Sequence, residues 1–123
     1  MATIRAYTTI EQSRKLAEIL PHETADMCYK CIEDDPYDIV LRPFSEWREE
    51  YKGLLVNKEA DVIPCWSLAA MLGVLPKIHK LKPILDLEEN SIQYSGIDLY
   101  VVADNLVDAC IEMIEKLHEL KKL

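Results

Sequence analysis

The chain has 123 residues, half of them apolar and 29% charged, the balance of a folded domain rather than of a disordered segment. Fourteen Lys and Arg against 22 Asp and Glu leave a formal net charge of −8, which argues against nucleic-acid binding, since a phosphate backbone needs clustered cations. The imbalance lies at the ends: residues 1–40 carry 4 positive and 8 negative charges, residues 41–80 carry 6 and 5, and residues 81–123 carry 4 and 9.

Thr9 begins the first predicted helix, about 9–20. Its hydroxyl and Gln12 three residues on form a T-x-x-Q capping box. Leu16, Ala17, Ile19 and Leu20 make the apolar stripe, Arg14, Lys15 and Glu18 face out, and Pro21 stops the helix. Ala25 to Ile32 alternates in the manner of a half-buried strand, EDDPYD (Glu33 to Asp38) reads as a turn, and DIVLR as the second strand of a hairpin. From Phe44 the period lengthens: Phe44, Trp47, Tyr51 and Leu54 suit the inner face of an amphipathic helix that Gly53 ends.

IPCWSLAAMLGVLP, Ile63 to Pro76, holds almost no polar group. Pro64 suits a helix's first turn and Pro76 its end, so the segment reads as a central core helix over 64–75, buried on nearly all sides around Trp66. Twelve helical residues span roughly 18 Å, against roughly 30 Å of hydrocarbon in a bilayer. A membrane span is excluded on length. KIHKLK, Lys77 to Lys82, is the one basic cluster. PILDLEENSIQYSGIDLYVVA then offers two or three strands, with EEN and SG as turns. The last helix, about 105–121, starts at Asn105 with Asp108 at its third position. Leu106, Cys110, Met113, Ile114, Leu117 and Leu120 form its apolar face.

Four cysteines stand at positions 28, 31, 65 and 110, the N-terminal MATIRAYTTIEQSRK lacks the apolar run of a secretory signal, and no N-x-[ST] acceptor occurs. A reducing, cytoplasmic setting follows. Cys28-Tyr29-Lys30-Cys31 is the sharpest chemical pattern. It can supply half a zinc site, but the remaining thiols and imidazoles, His22, Cys65, His79 and Cys110, are scattered. It can act as a redox pair, but it lies in a strand-like run rather than at a helix start. Glu33, Asp34, Asp35 and Asp38 lack the glycine and distal glutamate of a calcium loop. Ser67 is not in a nucleophile elbow, and three glycines cannot make a phosphate-cradling loop. Lys77, His79, Lys80 and Lys82 have no interleaved aromatics, so they read as a solvated connector. Trp47 and Tyr51 are candidate interface anchors, or simply a helix's inner face.

Three segments, TTIEQSRKLAEILPHETADM, IPCWSLAAMLGVLP and DNLVDACIEMIEKLHEL, together resemble small uncharacterised proteins of bacterial prophages and other mobile elements. They cover about half the chain, and the P-x-W-S-L-A-A-x-L segment is the most specific. The resemblance leads one to expect proline where Leu106 stands. It implies a bacterial cytosol and a mobile-element origin, carries no established activity, and does not extend to Cys28–Val62.

These readings converge on one α+β domain, 1–123: a small, mostly antiparallel sheet packed on one face by three to four helices. The expected function is that of a non-catalytic cytoplasmic binding or accessory protein, with no cofactor, no membrane and no nucleic acid, an unidentified protein partner, and an open strand edge able to pair with a second copy. The alternatives are a metal or redox protein using Cys28 and Cys31, and a small enzyme whose site is invisible in the sequence.

Overall fold

The structure, a computed structural model, describes residues 6–32, 35–43 and 62–123; at residues 30–32, 35–43 and 62 it describes the backbone alone. Its contacts gather into two compact units, Thr8–Ser67, and Met1–Tyr7 with Leu68–Leu123.

In the Thr8–Ser67 unit, α1 (Ile10–Ala17) starts with the capping box that the sequence implies. Gln12 N–H donates to Thr9 Oγ1 at 3.2 Å and Thr9 N–H to Gln12 Oε1 at 3.0 Å. Ser13 and Leu16 are buried, while Arg14, Lys15 and Glu18 face solvent. The helix ends before Pro21 can end it. Ile19 N–H and Leu20 N–H both bond Leu16 O, which tightens the last turn and carries Leu20 inward. A short 3-10 turn, His22–Thr24, leads into β1 (Met27–Ile32).

The expected hairpin forms: β1 pairs antiparallel with β2 (Asp35–Pro43), from Met27 opposite Pro43 to Cys31 opposite Ile39. An irregularity between Cys31 and Ile32 then sets Ile32 against Asp35. Asp35 to Asp38, expected within the turn Glu33–Asp38, belong instead to β2, and Glu33 and Asp34 lie outside the described residues. On the other side of β1 lies β3 (Val62–Cys65), with Met27 opposite Cys65 and Tyr29 opposite Ile63. The sheet order is therefore β2-β1-β3. Pro36, Pro43 and Pro64 all fall on the two edge strands and none on the central one, because proline cannot donate to a ladder on both sides. The helix expected from Phe44, with Trp47, Tyr51, Gly53 and Leu54, lies outside the described residues.

The IPCWSLAAMLGVLP segment corrects the sequence reading. Ile63 to Cys65 are strand, Pro64 is an edge-strand proline rather than a helix start, and the helix α2 is confined to Leu68–Val74. Only Met71 within α2 is buried, and Ala69 and Gly73 are exposed, so the helix is not buried on nearly all sides. An apolar run this short suits either conformation, and pairing with β1 decides for strand. Trp66 is fully buried as expected, but it sits between strand and helix, and its indole N–H donates to Thr24 Oγ1 at 2.9 Å.

In the other unit, β4 (Ile84–Asp86), β5 (Ser91–Tyr94) and β6 (Leu99–Val102) make a second antiparallel sheet in the order β4-β5-β6. The EEN and SG segments supply the turns, and Gly96 takes the φ of +81° that a side chain would resist. Ile92, Tyr94, Leu99 and Val101 face inward, and α3 (Leu106–Glu119) packs on β5, β6 and α2. Asn105 caps α3, accepting from Asp108 N–H at 2.9 Å and donating to the Asp108 carboxylate at 3.0 Å. Val107, Cys110, Met113, Ile114 and Leu117 are buried on α3, whereas Leu120, expected on that face, is 52% exposed beyond its end. Lys121, at φ 57°, closes the helix: its N–H bonds His118 O, and Lys122 N–H bonds Leu117 O. The class is α+β as expected, built on two three-stranded sheets and three α-helices among the described residues rather than on a single sheet.

Candidate functional site

Of the residues singled out for chemistry, Cys28 is fully buried on β1 and Cys31 is placed by its backbone alone, opposite Ile39. Cys65 pairs across the ladder with Met27, and Cys28 with Pro64, so Cys28 and Cys65 occupy opposite faces of their sheet. Cys65 and Cys110 are free thiols. Burial pushes Cys110 up to about 12. It also pushes Cys65 up, with Asp26 adding to the effect and hydrogen bonds from Thr8, Ser13 and Tyr29 opposing it. A thiol held protonated and dry is a poor nucleophile and a poor metal ligand. His22 is tied by its ring to Ala17 O at 2.9 Å, and His79 and His118 are exposed on other elements. No group of three or more His, Cys, Asp or Glu able to hold a metal collects among the described residues.

Cys65 belongs to a polar knot that the sequence does not announce. Thr8 is fully buried at its centre. Its Oγ1 lies 2.7 Å from Ser13 Oγ and 3.5 Å from Cys65 Sγ, and accepts from Trp66 N–H at 3.2 Å. Its carbonyl accepts from the Tyr29 hydroxyl at 2.7 Å and its N–H donates to Trp66 O at 3.0 Å. One residue thus ties α1, β1 and β3 together, with its hydrogen-bonding groups satisfied inside the fold. That arrangement holds structure; it leaves nothing over for a ligand.

The outward face of the second sheet is different. Ile84, Gln93 and Tyr100 stand in a row across β4, β5 and β6, and Val102 lies on the same face two residues beyond Tyr100. Ile84 is 58% exposed, Tyr100 42%, Val102 46%, and Leu87 in the adjoining turn 75%, a concentration of apolar surface that water does not favour. The rim is acidic by construction. Asp86 accepts from Glu88 and Glu89 N–H at 3.0 and 3.1 Å, folding the β4–β5 turn so that Glu89 Oε1 accepts the Tyr100 hydroxyl at 2.7 Å. That hydrogen bond raises the Tyr100 phenol above its ordinary value. Asp98 and Asp104, both exposed, flank β6.

The basic cluster lies on a separate two-residue hairpin tip. Ile78 and Leu81 exchange backbone hydrogen bonds at 2.9 and 3.0 Å, with His79 and Lys80 at φ 53° and 66°. Lys82 Nζ is turned back onto Leu75 O at 2.7 Å, while Lys77 and Lys80 are exposed. The carboxylates of Glu33, Asp34, Asp35 and Asp38 lie outside the described residues. No protein-family model matches the chain, and no curated protein or solved structure matches it. No described helix is long and apolar enough to cross a membrane.

Proposed function

We propose that this is a non-catalytic binding protein that presents the outward face of its second sheet to a basic protein partner. The observation that carries the reading is the exposed row Ile84, Tyr100 and Val102 inside an acidic rim of Asp86, Glu89, Asp98 and Asp104. A polar, charged rim around an apolar centre is the anatomy of a protein interface. The net charge of −8 favours a cationic partner and speeds its approach. The buried, protonated thiols support a structural use of Cys65 and Cys110 over nucleophilic catalysis. Free cysteines and the prophage-like segments support a bacterial cytoplasmic setting.

Titration of the full chain with an oligolysine peptide tests this reading. Amide shifts should concentrate on β4 to β6 and their turns at low salt, and affinity should fall steeply as salt rises. An oligoglutamate peptide should produce none. Binding insensitive to salt, or shifts confined to the Thr8–Ser67 unit, would count against the proposal.

A further inference from the structure

We infer that β6 is a strand-addition site for an extended basic segment of the partner, of the pattern [KR]-x-Φ-x-Φ-x-[KR], where Φ is apolar. The inference rests on the binding-protein reading above and narrows it to one edge and one ligand class. Ala103 N–H donates to Asn90 O at 3.1 Å, which continues the register that sets Val101 opposite Ile92 and Leu99 opposite Tyr94. Along an antiparallel strand, residues alternate between exchanging both bonds with the neighbour and directing both groups away. Leu99, Val101 and Ala103 therefore bond toward β5, and the N–H and C=O of Tyr100 and Val102 point to the other side. No strand among the described residues pairs there.

Proteins usually guard such an edge with a charge, a proline or a bulge within the strand. Leu99-Tyr100-Val101-Val102 has no charge or proline, and its pairing with β5 runs without a register shift. An added strand would set apolar residues beside Tyr100 and Val102, which are the exposed side chains of β6, while the backbone supplies the hydrogen bonds.

Charge selects the occupant. Antiparallel pairing of β6 with a second copy, in the register that makes Tyr100 and Val102 mutual partners, would place Asp98 opposite Asp104 at both ends. Like charges directly opposite each other destabilise a ladder. A segment with Lys or Arg at those two positions, six residues apart, meets both carboxylates instead. Neither Asp98 nor Asp104 has a cationic partner among the described residues.

The test uses the full chain and a capped peptide of sequence KTVTVTK, with ETVTVTE as its counterpart, followed by amide shifts. KTVTVTK should shift residues 98–104 selectively and ETVTVTE should not. Val102→Pro removes one outward N–H and no bond to β5, and should abolish binding. The pair Asp98→Lys and Asp104→Lys should weaken KTVTVTK by roughly tenfold or more and admit ETVTVTE. Unchanged KTVTVTK affinity in both variants would overturn the edge assignment, as would binding of oligolysine but not of KTVTVTK; either result leaves the acidic-face reading standing. Failure of both cationic peptides would remove both proposals. A self-dimer lost in Val102→Pro would give the edge to a second copy and overturn the assignment.

Discussion

Replacing Thr8 by valine exchanges a hydroxyl for a methyl of nearly the same size, so it leaves no cavity and isolates the polar contribution. Three groups surround the lost oxygen: Ser13 Oγ at 2.7 Å, Trp66 N–H at 3.2 Å and Cys65 Sγ at 3.5 Å. The buried Trp66 N–H would be left without an acceptor, at a cost of about 1–3 kcal/mol, and the Ser13 bond adds roughly 1 kcal/mol. The thiol contact is long and adds little. Thr8→Val should therefore destabilise the Thr8–Ser67 unit by about 2–4 kcal/mol, and Ser13→Ala by about 1 kcal/mol. The double variant should cost less than the sum, because both remove the same hydrogen bond. Trp66 is fully buried in this unit and its N–H bonds Thr8, so urea unfolding followed by tryptophan fluorescence reads the change. The midpoint should fall with the slope unchanged. A loss below about 0.5 kcal/mol, or strict additivity with Ser13→Ala, would show that the knot is not what binds α1, β1 and β3.

Lys80 has φ 66° at the second central position of the Ile78–Leu81 hairpin, where such turns favour glycine; Lys80→Gly should stabilise the unit by about 1 kcal/mol in thermal unfolding. Asn105→Ala leaves Asp108 N–H without its cap and should cost about 1 kcal/mol, read from chemical unfolding. Burial raises Cys110 from 9.0 to about 12, so between those values the native thiol keeps a proton that the unfolded thiol has lost. Stability from this group is complete below pH 9 and falls as pH rises, by about 1.4 kcal/mol at pH 10; Cys110→Ala should flatten the alkaline slope of stability against pH by that amount.

The sequence disclosed those features that depend on near neighbours. Thr9 with Gln12, and Asn105 with Asp108, are each three residues apart, so their caps are decided within one turn of helix. Alternation located β1, and the turn residues separated β5 from β6. What the sequence hid depends on distant partners. Val62 to Cys65 become strand because β1 is there to pair with them, and nothing inside IPCW distinguishes that outcome from a buried helix. Thr8 looks like one more residue before a cap until Cys65 and Trp66, more than fifty positions later, fold back onto it. The site was half visible. The uncharged run between Asp98 and Asp104 is plain in the sequence, but only the sheet order makes β6 an edge, and only the register shows which backbone groups it leaves open.

Amide hydrogen exchange along β6, with and without KTVTVTK, decides whether this edge is the working surface. In the free protein Leu99, Val101 and Ala103 should exchange slowly and Tyr100 and Val102 rapidly; the peptide should slow Tyr100 and Val102 while leaving the other three as they were. Equal protection at all five amides before any peptide is added would mean that the edge is already covered, and would contradict its assignment as the partner's docking site.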